Sequence, residues 1–298
     1  MIRFIMYNKL TDELAVCGLN AVRTLGDVHP ERINRLFVRQ DRFPLFTGVC
    51  KNLAERKRPY KICEDEELER ICKTAHHQGI VAMIYEPAVE DAAPEDLDTW
   101  AAEGKTGLLL CDVGNDHNLG AIVRSAAFFD ASPIILTEPN PPDLSGRQGA
   151  ANEDSPPDRE KIRFLTTSAY RVAEGGMEYV EFRRIRRPAA FLRSASEQLV
   201  VIGTDPRARI RIRDLPRLID QHIPRRASKS GRPQGGSQDG PQSGKPGVVL
   251  VVGNEETGLP IEVKDQCSFL ARIPGIGNIE NLNISQTAAL FLQELYER

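Results

Sequence analysis

The strongest constraint on the fold is a series of short, continuously apolar runs that recur from residue 106 onward. Gly107-Leu-Leu-Leu-Cys111 and Val248-Val-Leu-Val-Val252 are the clearest, and Gly107–Val113, Pro133–Thr137, Met177–Phe182, Leu199–Thr204, Val248–Gly253 and Phe269–Ile273 read as strands. Segments of helical composition separate them. Strands apolar on both sides of the pleat, alternating with helices, favour a mainly parallel sheet covered on both faces, an α/β architecture. The runs are far too short to span a bilayer.

At 298 residues the chain has room for about two compact domains. Residues 1–90 alternate short strand patterns (Arg35–Gln40, Gly79–Tyr85) with helical ones (Phe46–Arg58, Glu64–Lys73) and read as a small α/β module. The acidic stretch beginning Glu90-Asp-Ala-Ala-Pro-Glu reads as a linker over 91–105 or the start of a surface helix, and 106–298 as the second domain. Two stretches interrupt that domain. Pro139–Asp158 is rich in Pro, Gly, Asp and Asn and reads as an irregular loop, and Gln221–Gly247 is a low-complexity insertion with almost nothing to bury, expected to be flexible.

Charge excludes wholesale coating of a polyanion: 39 Lys+Arg against 42 Asp+Glu leave a net charge of −3. Any anion-binding surface must be local. Arginines 183, 184, 186, 187, 193, 207, 209, 211 and 213 face only Glu197 and Asp205 in the same stretch, and could hold a phosphate backbone or form solvated faces. The six cysteines are scattered, with no C-x-x-C pair and no zinc spacing, so they read as reduced thiols of a cytoplasmic protein and no metal is expected.

Three constellations stand out in the second domain. The first is Asp116-His-Asn118-Leu-Gly120-Ala-Ile-Val-Arg124-Ser125, where apolar spacing predicts a helix starting near Asn118, a favoured cap. Arg124 follows Gly120 by one turn. With no side chain there, it could lie along the bare turn and meet an anion at the helix N-terminus; taken alone, the stretch reads rather as a helix with a surface arginine and a packing glycine. The second is Gly253-Asn-Glu255-Glu-Thr-Gly258-Leu-Pro260 after a buried strand. Leu259-Pro260 stands where a P-loop requires Lys-Ser/Thr, and no G-x-G-x-x-G is present. The third is Ile273-Pro-Gly-Ile-Gly-Asn-Ile-Glu-Asn281-Leu282-Asn283-Ile-Ser285-Gln286, in which Asn283 and Gln286 suit a capping box on a final amphipathic helix.

Together, N-x-G-x-x-x-R, G-x-E-x-x-G-L and I-P followed by L-N-x-S resemble the three motifs of the SpoU (TrmH-type) RNA 2′-O-ribose methyltransferases of the SPOUT superfamily. Cys17-Gly-Leu-Asn-Ala-Val22 and His76-His-Gln-Gly-Ile80 are similar to the substrate-binding module that precedes the catalytic domain in many members. The resemblance implies a C-terminal trefoil-knotted SPOUT domain with a mainly parallel sheet, a homodimer formed through it, S-adenosylmethionine as cofactor and tRNA or rRNA as partner. It places Asn118, Arg124, Glu255 and Asn283 at the reacting end, and Gly203, Thr204, Gly253, Ile273 and Leu282 around the cofactor. Gln78, Gly79, Arg124 and Asn281 would face substrate.

Arg124 matches the family's proposed general base, yet a guanidinium with a pKa above about 12 is better suited to clamping phosphate and stabilising a developing alkoxide. The family's Ser-Leu-Asn reads Asn281-Leu-Asn283 here. That substitution keeps a second reading open, a non-catalytic RNA-binding or ribosome-assembly factor on the same fold.

Overall fold

The computed structural model describes residues 7–8, 13–138, 164–222 and 245–298. Tyr7–Asn8 (β1), Glu13–Cys17 (β2), Ile33–Val38 (β3), Tyr60–Ile62 (β4) and Ile80–Tyr85 (β5) form a sheet in the order β1-β2-β5-β3-β4, antiparallel except between β3 and β4. Helices Leu19–Val28 (α1), Thr47–Glu55 (α2) and Asp65–Cys72 (α3) cover it. Alternation along β2 decides the faces: Leu14 and Val16 share a core with Val22 and Leu25 of α1, whereas Ala15 and Cys17 face Leu68 and Cys72 of α3.

The second sheet comprises Glu90–Asp91 (β6), Thr106–Leu110 (β7), Ile134–Thr137 (β8), Phe182–Ile185 (β9), Val200–Thr204 (β10), Ile210–Arg211 (β11), Val248–Val252 (β12) and Phe269–Arg272 (β13). Its order is β11-β13-β10-β12-β7-β8-β9-β6, and every described pairing is parallel. The helices are Pro94–Ala102 (α4), Asp116–Phe128 (α5), Thr167–Ala173 (α6), Pro188–Ala195 (α7), Leu215–Gln221 (α8), Ile261–Lys264 (α9) and Ile284–Tyr296 (α10). Leu108, Leu110, Ile202 and Leu250 pack with Ile122 of α5, Ile219 of α8 and Phe291 of α10. Their strand neighbours Leu109, Val201, Val249 and Val251 pack with Trp100 of α4, Leu192 of α7 and Val263 of α9. Helices on both faces explain why these strands are apolar at every position.

Two sequence expectations shift. The strand expected at Met177–Phe182 begins where that run ends: Glu174 at φ 47 and Gly175 at φ 96 close α6, and Gly176–Glu178 forms a 3-10 turn with Met177 buried. The segment 91–105, expected as a linker, carries the end of β6 and all of α4, whose Leu97 and Trp100 are buried against the second sheet. The expected loop 139–158 and most of the insertion 221–247 lie outside the described residues.

Candidate active site

Strand β7 lies between β8 and β12, so the chain leaves neighbouring strands β7 and β12 at the same end of a parallel sheet. It goes into α5 from one and into the turn Gly253–Pro260 from the other. Such divergence opens a crevice beyond the strand ends, where open α/β sheets bind ligands. Asn254 closes the floor: its Nδ2 donates to the Asp112 carbonyl at 3.0 Å, while its Oδ1 accepts from the backbone N–H groups of Glu256 at 2.9 Å and Thr257 at 3.1 Å. A Cβ at Gly253 would come within 2.5 Å of the Gly258 carbonyl carbon, so the turn closes only with glycine there. Glu255 stands at the tip of this tight turn.

Asn118 is not the cap of α5. Asn115 fills that role, its side chain accepting from the His117 N–H at 2.9 Å, and the helix starts at Asp116. Asn118 therefore sits within the first turn, buried, with its amide free for longer-range bonds. Its Nδ2 donates to Glu255 Oε1 at 2.5 Å, and its Oδ1 accepts from Asn283 Nδ2 at 3.1 Å. Asn283 caps α10 by accepting from the Ser285 N–H at 2.8 Å and the Ser285 hydroxyl at 2.6 Å. The result is one hydrogen-bonded chain, Ser285 to Asn283 to Asn118 to Glu255, joining three segments far apart in sequence. The cap uses Ser285 rather than the Gln286 capping box.

Arg124 stands apart from this chain. Six residues of helix turn the side chain about 120° away from Asn118 and carry it about 9 Å along the axis. The turn at Gly120 is not bare, because a Cβ there would meet the Ala169 carbonyl oxygen at 2.6 Å and the Val172 side chain at 2.7 Å. Helix α6 fills the groove that Arg124 was expected to follow. The guanidinium, largely exposed, pairs instead with Glu174 at 3.3 Å. Glu174 also accepts from Asn20 Nδ2 of the N-terminal module at 3.1 Å. Its role was not legible in sequence, since the glutamate follows α6 without any motif.

Thr204, Gly253 and Ile273 lie at or just beyond the C-terminal ends of β10, β12 and β13, three adjacent strands. Gly203 serves packing: a Cβ would meet the Leu270 side chain at 2.7 Å and Cys267 Sγ at 2.8 Å. Leu282 is 48% exposed, as are Ile276 at 92% and Ile279 at 80% in the same segment after β13. Gly275 and Gly277 there have open space where a Cβ would stand. Burial pushes the nearby Cys111 and Cys267 thiols up to about 12, so neither offers a thiolate at neutral pH.

The remaining candidates do not join the cluster. Asn281 is exposed and takes no part in the Asn283–Asn118–Glu255 chain. Gln78 Oε1 accepts from the Leu19 N–H at 2.7 Å and so ties the start of α1, and Gly79, at φ 82, packs against Arg39 and Arg42. Both contacts lie within the N-terminal module. Among the described residues no group of three His, Cys, Asp or Glu is placed to hold a metal, and no helix is long and apolar enough to cross a membrane.

Comparison with known proteins adds the lineage. Residues 157–293 match the SpoU rRNA Methylase family, and residues 15–89 match the module described as RNA 2′-O ribose methyltransferase substrate binding. The chain is similar to the 23S rRNA (guanosine-2′-O-)-methyltransferase RlmB of Acinetobacter baylyi, 27% identical across 93% of this chain and 94% of the relative. Its counterpart in Nitrosomonas europaea is 25% identical across 97% and 93%. In fold it resembles the crystal structure of an AdoMet-bound rRNA methyltransferase from Sinorhizobium meliloti, with a TM-score of 0.64, 21% identity, and 96% of this chain and 87% of that one covered. The SpoU methyltransferase AviRb from Streptomyces viridochromogenes, solved with AdoMet, gives 0.62 at 18% identity over 98% and 94%. With residues 15–89 and 157–293 matched, together more than half of the chain, and relatives aligned over nearly their whole length, the chain belongs to the SpoU family of RNA methyltransferases.

Proposed function

We propose that this methyltransferase acts on a ribose 2′-hydroxyl of ribosomal RNA, with Asn118, Glu255 and Asn283 at the reacting end. S-adenosylmethionine supplies a methyl group that its sulfonium already activates for displacement. The protein's share is to align the hydroxyl and ease the loss of its proton. The observation that carries the reading is the bond from Asn118 to Glu255 at 2.5 Å, with Asn283 behind it at 3.1 Å. Asn118 fixes one carboxylate oxygen of Glu255, leaving Oε2 as an acceptor that a ribose hydroxyl can use. Asn281 lies outside that chain, so an asparagine in the family's serine position leaves these contacts intact and gives no support to a non-catalytic role.

The residues present suit the cofactor. Backbone groups at Thr204, Gly253 and Ile273 end three adjacent strands, and uncovered Ile276, Ile279 and Leu282 follow in the next segment, beside two glycines with open space. Polar main chain next to free apolar side chains matches an adenosyl group with its polar ring edges. Ribosomal RNA is favoured over tRNA by relatives that align over nearly their whole length and are named for 23S rRNA, among them those of Acinetobacter baylyi and Nitrosomonas europaea. Arg124, turned away from the Asn118–Glu255 pair of its own copy and held by Glu174, completes the site when a second copy supplies it. The proposed state is thus a cytoplasmic homodimer through the threaded C-terminal domain, each Arg124 clamping phosphate.

The direct test is Glu255→Gln and Asn118→Ala. Each lowers the rate of methyl transfer about 10²–10³-fold, the size of effect seen when a fixed polar contact at a reacting centre is lost, while calorimetry finds unchanged affinity for S-adenosylmethionine. Variants with wild-type turnover would remove both residues from the reacting end.

A further inference from the structure

We propose that the β11 edge of the second sheet is an RNA-phosphate-binding surface that holds substrate beyond the target nucleotide. This rests on the RNA methyltransferase reading and extends it to where the rest of the RNA lies.

The arginine-rich stretch of the sequence divides between opposite ends of one sheet. At β9 three arginines are paired: Arg183 bonds Asp96 at 3.2 Å and also Glu181, Arg184 bonds Asp91 at 2.6 Å, and Arg186 bonds Glu138 at 3.2 Å, while Arg187 and Arg193 beyond them are exposed. Along β11 no arginine is paired among the described residues. Ile210 and Ile212 pack against the core, whereas Arg209 before β11, Arg211 on it and Arg213 in the 3-10 turn after it are all exposed. None of these three side chains has an acidic partner among the described residues. Of the neighbouring acids, Asp205 is taken by Lys264 at 2.7 Å and the Arg207 N–H at 2.8 Å, and Asp214 forms no described ion pair.

The register sharpens the point. Arg211 is the register partner of Arg272 on β13, so two arginines stand side by side on adjacent strands, neither with an acidic partner among the described residues. Like charges in that position work against folding. Protecting an exposed edge strand from pairing needs charge, but not two like charges side by side. A polyanion spanning them resolves the repulsion. Arg272 immediately precedes Ile273, so the surface begins one strand spacing, about 4.8 Å, from the loop after β13. The N-terminal module enters the sheet at the opposite edge, through β6. RNA touching both crosses the whole row of strand ends.

The test uses the full chain carrying Arg209→Gln, Arg211→Gln and Arg213→Gln together, with Arg211→Gln alone as a milder second variant. Fluorescence anisotropy with transcribed large-subunit ribosomal RNA measures affinity at several KCl concentrations. Loss of three phosphate contacts is expected to weaken binding at least about tenfold near 0.1 M salt and to lower the slope of log affinity against log salt by about 2. The single variant shifts both in the same direction. Affinity for S-adenosylmethionine and the single-turnover rate at saturating RNA stay at wild-type values, while KM for RNA rises. Unchanged affinity and slope in both variants would overturn the surface, as would a wild-type chain that does not bind RNA. A wild-type chain that binds RNA through these arginines but transfers no methyl would overturn the activity and leave the surface standing.

Discussion

The two ends of the second sheet carry the same residue type in different states. On β9, Arg183 and Arg184 are partly buried and matched to acids outside the strand; around β11, Arg209, Arg211 and Arg213 stand in solvent with none among the described residues. Formal charge along the sequence does not distinguish these ends. Desolvation does: a guanidinium drawn against the fold without a carboxylate is costly, so the arginines near β9 were fitted with Asp91, Asp96, Glu138 and Glu181. Exposed arginines carry no such requirement and remain available to a partner.

The sharpest test of that contrast lies beneath the β9 end, where the N-terminal module meets the second sheet. Arg32 donates to Glu178 at 2.5 Å and to the Tyr170 hydroxyl at 2.9 Å, and the Glu178 side chain is 1% exposed. Arg32→Ala leaves that carboxylate buried and uncompensated, and chemical denaturation should show a loss of about 3–5 kcal/mol. Next comes Arg183→Gln, which strips a partly buried contact from Asp96 and should cost about 1–3 kcal/mol with RNA affinity unchanged. Arg211→Gln should do the reverse. Relief of repulsion from Arg272 raises stability by about 0.2–1 kcal/mol, while RNA affinity falls. If Arg183→Gln weakened RNA binding as much as Arg211→Gln, the division between the edges would collapse.

Titration gives a smaller effect with a definite sign. Burial raises the Glu178 carboxyl above the ordinary glutamate value, with Arg32 opposing in part. A raised folded value means that the folded chain binds more protons than the unfolded one across that window. The contribution of Glu178 is therefore greatest below the ordinary value and declines as pH rises through the raised one. The unfolding free energy of wild type minus that of Glu178→Gln should fall over this interval. A difference that climbs with pH would show that Arg32 outweighs burial.

The same physics explains which parts of the molecule were legible in sequence. Strands β7 and β12 were readable because burial on both faces demands unbroken apolar runs. Strand β9, Phe182-Arg-Arg-Ile185, was not, because its arginines are accommodated by acids far away in sequence. At the site, Asn118, Glu255 and Asn283 were recognisable through the resemblance to the SpoU motifs, but their mutual hydrogen bonds depend on which strands become neighbours. The cap of α5, expected at Asn118, is Asn115 three residues earlier, the same residue type meeting the same local preference. Gly120 looked like an open turn because its occupant, α6, begins nearly fifty residues later.

The most direct measurement follows the methyl group itself. Purified chain, S-adenosylmethionine carrying an isotopically labelled methyl and unmodified ribosomal RNA are incubated, and the RNA is digested and analysed by mass spectrometry. A ribose 2′-O-methyltransferase leaves label on the ribose of a single nucleotide, at a linkage resistant to alkali because its 2′-oxygen is blocked. Label on a base, or RNA returned unlabelled by a chain that binds both S-adenosylmethionine and RNA, would contradict it.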